Sequence, residues 1–276
     1  MRTALFTLFI TALLSPALAQ SPDIERGKYL VTIATCEGCH SPRDSRDQPI
    51  KEKRFAGGRR SGGLMTPNLT PDIETGLGAW SEAQIVDALR NGKRPDGSGI
   101  RPTMSVFFYR HFTDADARAI AAYLKSLAPI RNKVERTAVT TPAPQYPRVE
   151  SVPAIDRNDR AAYGKYLAET VAHCMQCHSP KKDNLPDLAR AGAGGSSYTA
   201  PGGGSVIAPN LTPANTEGIA KWSDAQIKTT VTKGVRPDGG RIVGVMDFEL
   251  YEHMTDADLD LIVGYLRALK PVETPK

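Results

Sequence analysis

The chain has 276 residues, with 35 Lys+Arg against 30 Asp+Glu, 40% hydrophobic and 7% aromatic residues. This ordinary globular composition excludes the disordered, collagen-like and coiled-coil classes. The length admits one large domain or two small ones, so the number of units has to come from sequence pattern rather than size.

Residues 1–19 read as a secretory signal. Arg2 supplies the positive start, Ala4 to Leu14 form an apolar run of eleven, and Ala17-Leu18-Ala19 is a small-x-small cleavage site before Gln20. The run is well short of the ~20 residues that a spanning helix needs, and Pro16 interrupts its end. The expectation is an exported chain, cleaved after Ala19, with no membrane span in its mature part. Residues 20–150 carry 20 basic and 15 acidic side chains, whereas residues 151–276 carry 14 and 15. Part of that excess is Arg43, Arg46, Lys51, Lys53, Arg54, Arg59 and Arg60, a loop suited to an acidic partner or to plain solvation. Nucleic acid is not an expected partner of an exported protein.

A first helix is predicted around residues 24–34, leading into Cys36-Glu37-Gly38-Cys39-His40. The second half holds Cys174-Met175-Gln176-Cys177-His178. An even cysteine count in an exported protein suggests disulfides, yet these four come as two tight pairs, each followed at once by histidine. That spacing matches covalent haem attachment: two thiols form thioethers with the haem vinyl groups, and the adjacent histidine ligates iron. A zinc site assembled from both pairs leaves the repeated histidine unexplained. Thioredoxin-like chemistry calls for one pair in a βαβ pattern, which is missing. Two haem c groups are therefore expected, on Cys36 with Cys39 and on Cys174 with Cys177.

The chain is a duplicated unit. The cysteine motif recurs at an offset of 138, and residues 66–129 match residues 208–271 at 29 of 64 positions without a gap, an offset of 142. Pro67-Asn68-Leu69-Thr70-Pro71, Trp80-Ser81, Arg94-Pro95-Asp96-Gly97 and Thr113-Asp114-Ala115-Asp116 all return in the second copy. Ser81 to Gln84 and Ser223 to Gln226 are capping boxes opening helices, and Thr113 and Thr255 open a last helix in each copy. Residues 130–155, with Pro142, Pro144, Pro147 and Pro153, read as an extended linker. The Gly-rich stretch 191–204 reads as a surface loop. No two-residue alternation appears, so the expected class is all-α. The division is signal 1–19, first unit 20–129, linker 130–155 and second unit 156–276.

A sulfur ligand on the far side of the iron favours the ferrous state. Of the methionines after the signal, Met104 and Met246 are equivalent between copies, whereas Met65, Met175 and Met254 align with Ile207, Glu37 and Phe112. His111 and His253 are the competing equivalent pair. Asn68, Trp80, Arg94, Asn210, Trp222 and Arg236 are candidate haem-pocket residues, because propionates need charge-assisted donors and the ring needs flat neighbours; Asn68 and Asn210 read equally well as turn caps, and the tryptophans as plain core.

The haem motif, Asn-Leu-Thr-Pro, Gly-Leu-Gly-Ala-Trp-Ser at 76–81, Arg-Pro-Asp-Gly, Met-x₄-Tyr and the final Thr-Asp-x-Asp helix together resemble cytochrome c domains. They are most similar to the multihaem cytochrome c subunits of periplasmic alcohol and gluconate dehydrogenases. The resemblance implies two tandem class I-like domains with His40, Met104, His178 and Met246 as iron ligands. Ser105 and Asp247 depart from it, standing where proline often follows the methionine, and the dehydrogenase subunits usually carry three haems. The expected function is periplasmic electron transfer between redox protein partners, a dehydrogenase donor and a cytochrome or oxidase acceptor. A dihaem peroxidase or thiosulfate-oxidising cytochrome is the alternative.

Overall fold

Each half of the chain is closed by two helices that cross at a glycine. In the computed structural model, which describes residues 22–45, 47–101, 103–137, 146–200, 203–242 and 244–275, α1 (Pro22–Ile33) lies against α5 (Asp114–Ser126). A Cβ on Gly27 would stand 1.9 Å from the Ala119 carbonyl oxygen, so only a hydrogen side chain permits that approach. α6 (Arg160–Lys165) meets α10 (Asp256–Ala268) in the same way, with Gly164 against the Leu261 carbonyl. The expected signal segment lies outside the described residues, as do Arg46, Pro142 and Pro144.

The remaining elements recur between halves. α2 (Cys36–His40) and α7 (Cys174–His178) are the cysteine turns, and α3 (Glu82–Asn91) and α8 (Asp224–Lys233) follow the tryptophans. The short α4 (Val106–Tyr109) and α9 (Phe248–Tyr251) follow the candidate methionines. Both capping boxes are formed: the Ser81 and Ser223 side chains accept from the Gln84 and Gln226 amides, and the glutamine side chains accept in return. Gly92 and Gly234, at φ 64° and 63°, end those helices in the left-handed region.

The fold is largely helical, with three small antiparallel ladders that pair β1 (Arg60–Ser61) with β2 (Leu64–Met65), β3 (Lys181–Lys182) with β4 (Leu185–Pro186), and β5 (Ser197–Thr199) with β6 (Ser205–Ile207). Strands of two or three residues are too short to write an alternation into the sequence. The stretch 191–204 is only partly a surface loop: Gly192, Ala193 and Gly194 are buried, and it ends in the β5–β6 hairpin.

The helix before the second cysteine turn carries one extra residue. Gly-Lys-Tyr-Leu occurs at 27–30 and 164–167, an offset of 137, against 138 for the cysteines. The surplus is absorbed in a π-helical turn, Tyr166–Val171, which keeps both the glycine crossing and the cysteine turn in place. Where the first half has straight α-helix, the second therefore has a bulge.

One apolar core runs through both halves, from Leu30, Phe108 and Ile120 to Leu167, Met175 and Ile262. The halves exchange reciprocal hydrogen bonds: the Tyr29 hydroxyl donates to Asp258 at 2.5 Å, and the Tyr166 hydroxyl donates to Asp116 at 2.6 Å. Tyr29 and Tyr166 are equivalent in the repeat, as are Asp116 and Asp258, so the contact has the self-complementary character of a two-fold interface. The expected linker is held at both ends. Ile130 accepts from Asn68, while Arg148, Val149 and Val152 bond Asp87, Asn91 and Asp114.

Candidate functional site

The approach to each cysteine turn is a single residue in the left-handed region, Thr35 at φ 52° and His173 at φ 39°. Neither is glycine, and Thr35 is β-branched, so each turn carries local backbone strain at the same place. Within each turn the two cysteines are three residues apart and share a helix face, with the histidine one residue further on. All four thiols are free, and burial pushes Cys36 and Cys174 up to about 12, with Cys39 and Cys177 raised as well. Neutral thiols are the opposite of what disulfide exchange uses. Among the described residues no three His, Cys, Asp or Glu side chains form a metal-holding group, so the pairs do not converge on a zinc site.

The histidines are locked identically. Nδ1 of His40 donates to the Pro67 carbonyl at 2.9 Å, and Nδ1 of His178 donates to the Pro209 carbonyl at 2.8 Å. A carbonyl can only accept, so the proton sits on Nδ1 and the Nε2 lone pair is left for a metal. Burial lowers the pKa of both rings and keeps them neutral. The donor set therefore fits haem c: two neutral thiols on one face, beside an imidazole with its coordinating nitrogen uncommitted.

Asn68 and Asn210 act one step back from that imidazole. Asn68 Oδ1 accepts from the Thr70 amide and hydroxyl, at 2.9 and 2.8 Å, while its Nδ2 donates to Ile130. Asn210 repeats this with Thr212 and Val272. Both amides are thus engaged in holding the turn whose proline carbonyl accepts from the histidine. Trp80 and Trp222 are partly buried against the core, and their carbonyls accept from Lys125 and Arg267 of the last helices. The Arg-Pro-Asp-Gly segments are tight turns with Gly97 and Gly239 at φ 79° and 81°. Arg94 bonds Gly99 within its turn, and Arg236 is exposed.

Met104 and Met246 are partly buried against the core, while His111 and His253 are exposed. The Met-x₄-Tyr spacing has a structural cause. The Tyr109 hydroxyl donates to the Ala34 carbonyl at 2.8 Å, and Tyr251 donates to Ala172 at 3.0 Å. Each methionine loop is thereby fastened to the residue two before the first cysteine. In the basic loop, Arg54 pairs with Glu37, Arg43 with Asp47, and Arg59 donates to the Gly38 carbonyl, so part of that charge is used within the fold.

Sequence reading missed Gly57 and Gly194. Their amides donate to the carbonyls of His40 and His178 at 2.7 and 2.8 Å, and a Cβ on either would strike the peptide joining the proline to Asn68 or Asn210. The signal was present, because Ala-Gly-Gly recurs at 56–58 and 193–195.

Residues 24–128, which include the first cysteine turn, match the sequence profile of the Cytochrome c family. This segment is a cytochrome c domain. A cytochrome c domain holds haem c covalently, which is the group the first donor set fits. Relatives extend along nearly all of the chain. It is 31% identical to the fructose dehydrogenase cytochrome subunit of Gluconobacter japonicus, over 92% of this chain and 54% of that one. It is 29% identical to the alcohol dehydrogenase (quinone) cytochrome c subunit of Gluconobacter oxydans, over 94% and 58%. It is 28% identical to a diheme cytochrome c-type protein of Cereibacter sphaeroides, over 91% and 87%. The chain thus spans little more than half the length of the dehydrogenase subunits. No helix among the described residues is long and apolar enough to cross a membrane.

Proposed function

We propose that this chain is a periplasmic dihaem cytochrome c, built of two tandem class I-like domains joined by the Pro-rich linker, that carries electrons from a dehydrogenase to a downstream acceptor. The observation that carries this reading is the duplicated histidine lock, with Nδ1 engaged and Nε2 uncommitted in both halves. Bound haem c supplies a one-electron ferric/ferrous couple. Cys36, Cys39, Cys174 and Cys177 hold it covalently, so it is not lost after export. His40 and His178 donate Nε2, with Pro67 and Pro209 fixing the ring orientation. Met104 and Met246, on loops fastened by Tyr109 and Tyr251, would supply a sulfur ligand to each iron. The solvent-facing His111 and His253 favour this pairing over bis-histidine ligation. Relatives named as dehydrogenase cytochrome subunits support a dehydrogenase as donor.

A redox titration with visible, near-infrared and paramagnetic resonance spectra, with carbon monoxide added to the reduced form, tests the reading. Two low-spin haems with sulfur-to-iron charge transfer and no carbon monoxide binding are expected. Met104→Ala and Met246→Ala should each turn one haem high-spin and carbon monoxide-binding, with a lowered potential. A high-spin haem in the unmodified protein would instead point to a peroxidase or thiosulfate-oxidising enzyme.

A further inference from the structure

The first half fills a groove that the second half leaves open. Phe55 and Gly192 are structurally equivalent: their amides donate to the Ser41 and Ser179 hydroxyls, and their carbonyls accept from the Leu69 and Leu211 amides. The Phe55 ring is 3% exposed and stands edge-on to Tyr123, with ring centroids 6.3 Å apart. Arg54 lies over that ring and donates to both oxygens of Glu37. In the second half Ala191, Gly192 and Met175 replace Arg54, Phe55 and Glu37, while Tyr265 keeps the place of Tyr123. Ring, guanidinium and carboxylate are all gone beside a retained tyrosine. What remains is an open groove of about 240 Å³, walled by Tyr265, Leu269, Ala191 and Leu188 and flanked by Lys165 and Lys270. Leu269 leans towards Gly192, where a Cβ would meet its Cδ1 at 2.9 Å, yet the groove stays open beside it. Glu169, also in its lining, is engaged by the Tyr265 hydroxyl. Both lysines are exposed and neither forms an ion pair among the described residues. Lys270 stands where the first half has Ala128.

We propose that this groove is a binding site for a small aromatic carboxylate, its ring beside Tyr265 and its charge answered by Lys165 and Lys270. The first half shows the shape that complements the tyrosine at this place, a single aromatic ring met edge-on. Volume sets the size. An apolar cavity of about 150 Å³ takes up benzene, whereas drug-sized ligands fill roughly 300–1,000 Å³, so the groove suits one substituted ring. Charge sets the sign. With Glu37 replaced by the buried Met175 and Glu169 already bonded to Tyr265, the groups left to bind an ion are two ammonium groups, and these select an anion. Their exposure limits what they add to a few-fold in affinity. The site stands apart from the haem reading and depends on neither haem count nor ligation.

The test titrates para-methylbenzoate into the reduced, nitrogen-labelled full chain carrying its haems and reads amide shifts by magnetic resonance. A saturable shift at Ala189, Ala191, Leu269 and Lys270 is expected, with none at Phe55 and its neighbours, and para-methylbenzamide, the uncharged isostere, should bind more weakly. Ala191→Phe fills the groove without changing charge, at a φ of −51° that admits any side chain, and should abolish the shift. Lys270→Gln should weaken the carboxylate about two- to fivefold and leave the amide unaffected. If Ala191→Phe fails to fold, as judged by its denaturation midpoint, the Lys270→Gln comparison still decides. The proposal is overturned by the absence of a saturable shift, by shifts spread outside the groove, by equal binding of carboxylate and amide, or by unaltered binding to folded Ala191→Phe.

Discussion

His173 precedes Cys174 and takes the place of Thr35 in the repeat, yet its environment gives it work that neither position announces. Its Nε2 lies 3.3 Å from the Ala34 carbonyl and 3.4 Å from the Thr35 hydroxyl, and its ring stands edge-on to Tyr109. Burial pushes its pKa down from 6.5 to about 4. Between those values the unfolded chain binds a proton that the native protein does not, so stability rises with pH across that window. It should fall as pH drops from about 6.5 towards about 4, by a few kcal/mol at most. Urea midpoints of the wild type and His173→Gln at pH 7 and 4.5 check this: the difference between the two pH values should shrink in the variant. The sequence shows that a histidine stands beside the cysteine; its neutral state follows from partners in the other half.

Helix crossings depend on positions where a side chain is forbidden. Ala on Gly27 would drive into the Ala119 carbonyl, nominally at 1.9 Å, and Ala on Gly164 into Leu261 at 2.5 Å. Neither obstacle is a flexible side-chain end, so the helices must separate, at a cost of about 1–3 kcal/mol or more. Gly27→Ala should lower the denaturation midpoint more than Gly164→Ala, because its clash is deeper. Equal, negligible effects would show that the crossing relaxes freely. Much at this scale was legible beforehand: the capping boxes, the cysteine turns and the last helices all stand where their residues put them. The short ladders were not, since two paired residues have no period. The π turn was hidden for another reason: it shows only when the Gly-Lys-Tyr-Leu offset is compared with the cysteine offset.

At the scale of the molecule, one core and two reciprocal Tyr–Asp bonds join the halves. Such a contact should make unfolding a single transition rather than two. Tryptophan fluorescence, reporting Trp80 and Trp222, should change at the same denaturant concentration as the haem absorbance. Tyr29→Phe and Tyr166→Phe each remove a hydrogen bond to a carboxylate and should cost about 1.5–3 kcal/mol. Two separated transitions in the unmodified protein would mean that the halves are independent. The sequence by itself determined the duplication, the paired cysteine–histidine turns and the methionines worth considering, because these are local patterns whose spacing alone carries the chemistry. Tertiary structure decided the rest. The Pro67 and Pro209 carbonyls fix the histidine tautomers, and the tyrosines cross between halves. Each of these depends on groups far apart in the chain meeting in space, and no local pattern records which of them meet.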